Sequence, residues 1–370
     1  MHADVEEVKR ALMRKETPKD PSIDPADLLS TGSALLNLAC SGRVDGGFLK
    51  GHYYLFVGDS DSGKTFITMT CLAEASINKA FDKYRLIYDG SEYGALMNIE
   101  KFFGPRVASR LEPPRTKKRI PVYSQTVEDF YYNLHDATVD DRPFIYVLDS
   151  QDSLTSKRES DKFDLRKRKA RGKATASDRK KSEGDYADGK AKAHSSMIRK
   201  FLGPLKDKGS ILIVINQSRD SFDPFNSKVY SGGRALKFYA TLQMWSSKSK
   251  TIEKTYRGKS RQLGIRCKVQ VLKNRLIGKD RTVTIPIYHS FGIDDVGSCI
   301  DYLVSEKVWK KDSNGSIEVT GLGPKQKMKP GKLRSWIIDE ELGDDLRVLV
   351  AKIWTDVEAA CEMCGEGRYS

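Results

Sequence analysis

The stretch His52-Tyr-Tyr-Leu-Phe-Val-Gly58-Asp-Ser-Asp-Ser-Gly63-Lys64-Thr65 decides how this chain folds. Its first six residues are mostly apolar, read as a buried strand, and run without a break into a glycine. Residues Gly58, Asp59, Ser60, Asp61, Ser62, Gly63, Lys64 and Thr65 then satisfy G-x-x-x-x-G-K-[ST] in full. The apolar spacing from Thr65 to Lys79 predicts a helix behind them. Strand, glycine-rich turn and helix in that order form the context that phosphate binding requires. The glycines let backbone N–H groups curl around phosphate oxygens, and the helix N-terminus adds positive potential. Lys64 is expected to reach the β- and γ-phosphates and Thr65 to ligate Mg²⁺, so ATP and Mg²⁺ are the expected cofactors. A chance glycine-rich turn is the competing reading, and the correct flanks weigh against it.

Working outward, Phe144-Ile-Tyr-Val-Leu148-Asp149-Ser150 is an apolar strand that ends in an acid. Alone that pattern is common. Placed 85 positions after Lys64, it reads as the Walker B strand, with Asp149 near the Mg²⁺ and its water ligands. Between the two, Asp89-Gly-Ser-Glu92 closes a short strand that begins at Arg85. Strand ends on that edge of a doubly wound sheet face the ligand, so Glu92 is a candidate to orient and polarise an attacking water. An acid that merely caps the following helix is the alternative for Glu92. Further on, Val214-Ile-Asn-Gln217-Ser-Arg219 ends an apolar strand in polar amides, where Gln217 is positioned to sense a γ-phosphate. The loop behind it, to Gly233, carries Phe222, Phe225, Lys228 and Tyr230, which suit a flexible contact with a nucleic-acid single strand. Loop aromatics are equally often anchors into a core.

Strands and helices alternate from about Ser30 to Ile287, with helices expected over Val127–Asp136 and Ala191–Leu205 and a wholly apolar strand at Ser210–Ile215. That order argues for an α/β fold, a doubly wound and mostly parallel sheet with helices on both faces. Strands with clearer alternation at Thr241–Trp245, Ile265–Leu272 and Thr282–Tyr288 predict an antiparallel extension. The organisation expected is an arm and proline-rich linker over 1–29, a core over 30–290, and a small C-terminal α/β lobe over 291–370. The arm rests on Val5, Val8 and Leu12 at helical spacing ahead of Pro18, Pro21 and Pro25. The lobe rests on helical patterns at Val296–Glu306 and Asp344–Cys361 around a Gly/Lys-rich link at 321–332.

At 370 residues the chain is long enough for a large domain plus a smaller one. No apolar run approaches the ~20 residues that span a bilayer, and the polar N-terminus lacks the look of a secretory signal, so a cytoplasmic protein with no membrane partner is expected. Cys361 and Cys364 form a C-x-x-C without further ligands nearby, and the other four cysteines read as reduced core thiols. The net charge is +14, and much of it is local. Between Lys157 and Lys181 stand twelve basic residues against four acidic ones, a balance of +8. Such a block points to a polyanion, nucleic acid first. A mobile basic insert over about 157–183 is expected, with Arg166, Lys167, Arg168 and Lys169 as phosphate contacts; a solvated linker without a partner is the plainer alternative.

These pieces, in this order, resemble the RecA recombinase family, both bacterial RecA and UvsX-like phage members. The likeness begins at Ser30-Thr-Gly-Ser-Ala-Leu-Leu-Asn-Leu-Ala39 and runs through the P-loop, Glu92 and Asp149. Most specific are Ser231-Gly-Gly-Arg-Ala-Leu-Lys-Phe-Tyr-Ala240 and Val271-Leu-Lys273-Asn-Arg275. The resemblance implies a RecA-like P-loop ATPase core that assembles as a helical homo-oligomer on single-stranded DNA and then engages duplex DNA for strand exchange. It implies Glu92 as the catalytic carboxylate and Gln217 as the link from γ-phosphate to a DNA-binding loop, with Arg219, Lys228, Gly232 and Gly233 in or beside that loop. It implies Lys273 and Arg275 reaching a neighbour's ATP in trans, with Phe238 at that interface. Departures are the enlarged basic segment before Ala191 and one extra residue ahead of Glu92. Two competing readings are a RecA-fold hexameric helicase or loader, and a DNA-binding mediator with weak hydrolysis. The Gly232–Ala240 likeness argues against the first, and intact Lys64, Thr65, Glu92 and Asp149 against the second.

Overall fold

The computed structural model describes residues 23–92, 97–172, 189–220, 228–230 and 233–362. Ahead of the glycine-rich turn, Leu28–Leu29 (β1) and Phe48–Leu49 (β2) pair antiparallel around helix Ala34–Ser41 (α1). Ser33 caps α1 by accepting from the Leu36 N–H, and Gly42 ends it at φ 74, a left-handed turn that favours glycine. Next come Tyr53–Gly58 (β3), Lys64–Ile77 (α2), Arg85–Gly90 (β4), the short helices Ile99–Phe103 (α3) and Pro105–Arg110 (α4), and Leu111–Glu112 (β5). A small hairpin, Arg115–Lys117 (β6) and Ile120–Val122 (β7), leads into Val127–Val139 (α5). Then follow Phe144–Asp149 (β8), Lys157–Ala170 (α6), Gly189–Met197 (α7), Arg199–Lys208 (α8), Ile211–Asp220 (β9), Lys228–Tyr230 (β10) and Gly233–Tyr239 (α9).

The second half is built on three long antiparallel strands: Leu242–Tyr256 (β11), Lys259–Asn274 (β12) and Arg281–Tyr288 (β13), with Gly292–Ile293 (β14) at the edge. Helix Asp295–Ser305 (α10) follows, then a three-stranded sheet of Lys310–Lys311 (β15), Ile317–Val319 (β16) and Gln326–Met328 (β17), and helices Pro330–Asp339 (α11) and Gly343–Ala360 (α12).

One ten-stranded sheet organises the chain, in the order β14-β13-β12-β11-β3-β9-β8-β4-β5, with β10 paired to β9. From β11 to β5 every pairing is parallel; beyond β11 it is antiparallel. The expected doubly wound sheet with an antiparallel extension is the fold observed. Alternate residues of β3 feed two cores. Tyr54 and Phe56 pack with Leu36, Ile67 and Leu72 on one face; Tyr53, Leu55 and Val57 pack with Phe130, Leu134 and Leu205 on the other. Each such large side chain contributes roughly 1.5–3 kcal/mol on burial. Trp309, Leu333, Val350 and Trp354 of the C-terminal elements join the first of these cores.

Three expectations about elements are corrected. The strands expected at 241–245 and 265–272 are far longer, because both run on into a two-stranded ribbon whose polar, exposed residues carry no apolar alternation. The helix expected over 191–205 is two helices, parted at Ile198, with Pro204 inside the second. The basic segment is not a loop in its first half: α6 spans Lys157–Ala170, started by a capping box in which Ser156 and Glu159 satisfy each other's backbone N–H. Asp164 and Arg168 stand at i,i+4 spacing, and Lys167, Arg168 and Lys169 lie in the last turn, where cations favour the helix dipole. The rest of that segment, 173–183, and the arm over 1–22 fall outside the described residues.

One buried polar contact ties the second face together. His194 on α7 meets the Tyr131 hydroxyl at 2.8 Å through Nδ1 and the Gln151 amide at 3.0 Å through Nε2. Burial first, and the nearby Lys190 charge second, push the imidazole down to about 3. Because its ordinary value is 6.5, the unfolded chain binds a proton between the two values that the folded chain does not, so stability is lost as pH falls through that window. His194→Asn should lower the unfolding midpoint at pH 7 through loss of hydrogen bonds, about 1–3 kcal/mol. It should also flatten the decline of the midpoint between pH 7 and pH 4, read by circular dichroism melts; an unchanged slope would contradict the assignment.

Candidate functional site

The glycine-rich turn sits where β3 ends and α2 begins, on the edge of the sheet to which the parallel strands point. A side chain at Gly58 would place its Cβ 2.2 Å from Ser246 Oγ and 2.4 Å from Ser246 O on β11. Gly63 takes φ 87, and a Cβ there would lie 2.7 Å from Ile287. Both positions therefore require glycine. Gly63 is also the N-cap of α2 and supplies no side chain to the first turn, so no side-chain cap occupies its N–H groups. The turn is braced from neighbouring strands: Ser62 Oγ and Ser246 Oγ are 2.7 Å apart, and the Cys267 thiol on β12 donates to Ser62 O at 2.9 Å.

Lys64 lies inside this turn, 9% exposed, its ammonium donating to Gly58 O at 2.9 Å and Asp59 O at 2.6 Å. Burial lowers its pKa, opposed by the charges of Asp149, Glu92 and Asp59. Asp149, at the end of β8, accepts from the Tyr88 hydroxyl at 2.8 Å and from the Thr65 hydroxyl. Its carboxyl is pushed up by burial, against those two hydrogen bonds and the Lys64 charge. A hydroxyl and a carboxylate facing each other beside a lysine form the oxygen donor set that Mg²⁺ takes. The residues present thus fit a magnesium–phosphate group.

Glu92 follows β4 in a turn and is exposed, near enough to Lys64 to act on its charge. It does not cap the next helix: Asn98 does, accepting from the Lys101 N–H at 2.9 Å. Gln217 is level with Gly58 in the parallel ladder, and its amide donates to Ser60 Oγ at 2.6 Å. Next along β9, the Ser218 hydroxyl donates to the Asp59 carboxylate. Lys64, Thr65, Asp149, Glu92 and Gln217 therefore meet at one sheet edge.

Lys273 and Arg275 do not join them. Lys273 Nζ donates to Lys237 O and Phe238 O, both at 2.7 Å, and Arg275 donates to Phe238 O at 3.0 Å. They cover the carbonyl end of α9, and the two adjacent charges add to burial in pushing Lys273 down to about 8. Arg275 is level with Thr241 and Tyr53, the start of β3, five residues from Gly58 or about 16 Å along the strands. Phe238, 62% exposed, has the Arg275 guanidinium 5.9 Å from its ring centre.

Arg166, Lys167, Arg168 and Lys169 are exposed on α6. Arg219 and Lys228 stand on β9 and β10, which pair antiparallel, so the ends of the expected loop form a ladder; 221–227 and Gly232 lie outside the described residues. Gly233 opens α9 at φ 75, where a Cβ would lie 2.7 Å from the Ala191 Cβ on α7. Sequence reasoning missed two features. Asp89 is wholly buried, accepting from Ser124 N–H at 2.9 Å, Ser124 Oγ at 2.5 Å and Tyr146 at 2.6 Å, so it braces the strand that presents Glu92. A cleft of about 440 Å³ beside Lys64 and Thr65 is walled by Phe66, Met97, Ile265, Ile287 and His289, residues scattered too widely in sequence to signal it.

A mostly parallel sheet carrying a complete phosphate-binding turn, a facing carboxylate and an amide at the neighbouring strand end defines a P-loop protein with a RecA-like α/β core. Residues 174–294 match the family model of the RecA N-terminal domain. "Protein RecA" of Cytophaga hutchinsonii is 26% identical over 82% of this chain and 76% of its own length. The proteins of that name from Synechococcus sp. (strain CC9902) and Clostridioides difficile are 26% and 25% identical, over 76% and 78% of this chain and 65% and 72% of theirs. These likenesses make the chain similar to the RecA family over most of its length. Among the described residues no helix is long and apolar enough to cross a membrane.

The electrostatics of Asp149 give a test. With its folded pKa raised, the folded chain binds more protons than the unfolded one as pH passes the ordinary carboxylate value, and the charged form costs stability above it. Asp149→Asn should therefore raise the unfolding midpoint of the nucleotide-free protein at pH 7 and show none of the further rise expected of the wild type with Mg-ATP. Scanning fluorimetry with and without Mg-ATP checks both; a lower midpoint without nucleotide would contradict the account.

Proposed function

We propose that this chain is a DNA-dependent ATPase that assembles into helical filaments on single-stranded DNA, pairs them with duplex DNA and promotes strand exchange. ATP would be held by the turn Gly58–Thr65, its base in the adjoining cleft, whose apolar wall suits a purine. Magnesium bound between Thr65 and Asp149 would neutralise phosphate charge. Lys64 binds and orients the terminal phosphates, and Glu92 holds the attacking water and takes its proton. Gln217, hydrogen-bonded to Ser60, links phosphate occupancy to β9 and the DNA-facing loop beyond it.

The observation that carries the filament reading is the position of Lys273 and Arg275. Two cations beside an exposed Phe238, about 16 Å along the sheet from their own phosphate-binding turn, support the reading that they serve a nucleotide on another subunit. Nucleotide bound between subunits stabilises the assembly alone, so ATP favours the filament. Mixing Arg275→Ala with Lys64→Ala protein should restore part of the DNA-stimulated ATP hydrolysis that each lacks by itself, since the defects fall on opposite sides of one interface. No recovery at any ratio would sink catalysis in trans.

Helix α6 is assigned to sequence-independent phosphate contacts. Changing Arg166, Lys167, Arg168 and Lys169 to Ser should flatten the dependence of log K on log salt for single strands by about 0.7 per lost contact, leaving ATP binding without DNA intact. Superimposable salt titrations would leave α6 a solvated helix.

A further inference from the structure

We propose that the tip of the β11–β12 ribbon is a docking arm for the backbone of double-stranded DNA, a surface separate from α6 and from the loop after β9. The proposal rests on the reading of the chain as a DNA-binding protein and names where a duplex is gripped.

The ribbon outruns the sheet. Strand β3 leaves β11 at Ser246, and β13 leaves β12 at Gly264. Beyond those levels four pairs remain, Glu253 with Gln262, Lys254 with Arg261, Thr255 with Ser260 and Tyr256 with Lys259. They extend about 13 Å at the usual rise of a strand. Because β11 runs parallel to β3, this arm leaves the sheet on the same edge as the phosphate-binding turn. Arg257 and Gly258 close it with φ 51 and 72, the geometry of a tight two-residue hairpin turn that fixes the register.

That register sorts the side chains. Paired residues share a face and successive residues alternate. Lys254, Tyr256, Lys259 and Arg261 therefore stand on one face, and Glu253, Thr255, Ser260 and Gln262 on the other. The sole acid of the arm is turned away and engaged, with Ser260 Oγ donating to Glu253 at 2.7 Å. On the cationic face Lys254 lies directly opposite Arg261, an arrangement that destabilises a ladder. All of these residues are exposed, and among the described residues Lys254, Lys259 and Arg261 have no ion-pair partner, whereas Arg266 nearer the sheet pairs with Asp301 at 2.7 Å. A polyanion relieves this repulsion; nothing within the described fold does.

Duplex DNA fits better than a single strand. Grips on single strands rely on successive aromatic platforms, and this face has one ring, Tyr256, with the Arg257 guanidinium 5.4 Å from its centre. A duplex offers one phosphate charge per ~1.7 Å of axis, and its major groove admits a two-stranded ribbon.

The test uses the full chain with Lys254, Lys259 and Arg261 changed together to Ser, and a second variant, K254R/K259R/R261K, that keeps the charge. Fluorescence anisotropy follows binding to a short mixed-sequence duplex and to one of its single strands across a salt series. For the Ser variant the duplex slope of log K against log salt should fall by about 2.7, near 0.9 for each of the three contacts, while the charge-keeping variant follows the wild type. Single-strand-stimulated ATP hydrolysis should stay at the wild-type level. Superimposable duplex slopes overturn the proposal, and so does a loss confined to single strands. Absence of single-strand-stimulated hydrolysis in the wild type would instead overturn the recombinase reading, a readout independent of the duplex slope.

Discussion

Parallel pairing of β3 between β9 and β11 puts Gly58 level with Gln217 on one side and Ser246 on the other, and the phosphate site depends on that register. The sheet packs so closely there that only a glycine fits at position 58. Slipping either neighbour by one residue would turn its side chains to the other face, removing the Ser62–Ser246 contact or the Gln217–Ser60 contact. The register in turn is held by apolar cores on both faces of β3, since a slip would exchange the residues that fill them. The geometry of the phosphate-binding turn at the sheet edge is thus set by packing well behind it.

Much of this was legible in the sequence for a physical reason. A buried parallel strand must be apolar throughout, a phosphate-binding turn must have glycine where backbone approaches closely, and both leave contiguous marks, as at Tyr53–Thr65 and Phe144–Asp149. The exposed halves of β11 and β12 leave none. Their residues meet water on both faces, so Ser247–Leu263 carries no strand pattern although it forms a hairpin ladder with two irregularities. Helix α6 escaped for a related reason: with no buried residue it has no apolar stripe, and only its Ser156–Glu159 box marks its start. Asp89 shows the limit from the other side. Its neighbours Ser124 and Tyr146 come from distant positions, so a buried structural carboxylate and the exposed Glu92 three residues on look alike in one dimension.

Charge is distributed by the ends of the sheet. Carboxylates that burial pushes toward protonation, Asp149 and Asp89, lie with Lys64 toward the edge where the parallel strands end. Lys273 and Arg275 sit toward the opposite end, covering the carbonyls that close α9. Those hydrogen bonds satisfy both side chains away from the subunit's own phosphate-binding turn, and Lys273, pushed down by burial first and by its cationic neighbours second, gains from any anion brought near it.

Strand β9 then connects the phosphate-binding turn to the hairpin it forms with β10. It passes the P-loop at Gln217 and Ser218, which hold Ser60 and Asp59, and continues without interruption to Asp220, where it pairs with β10. A strand is stiff along its axis because its backbone is fully extended. A change at Ser60 or Asp59 is therefore delivered within three residues to the paired segment β9–β10. At the far side of that segment, α9 begins at Gly233, pressed so closely on α7 at Ala191 that a methyl group would not fit. Strand β9 is thus held to the phosphate-binding turn, and α9 to a helix tied through His194 and Gln151 to the exit of β8. The phosphate-binding turn and the β9–β10 hairpin consequently share contacts, and movement of one without the other would break those at Ser60 and Asp59.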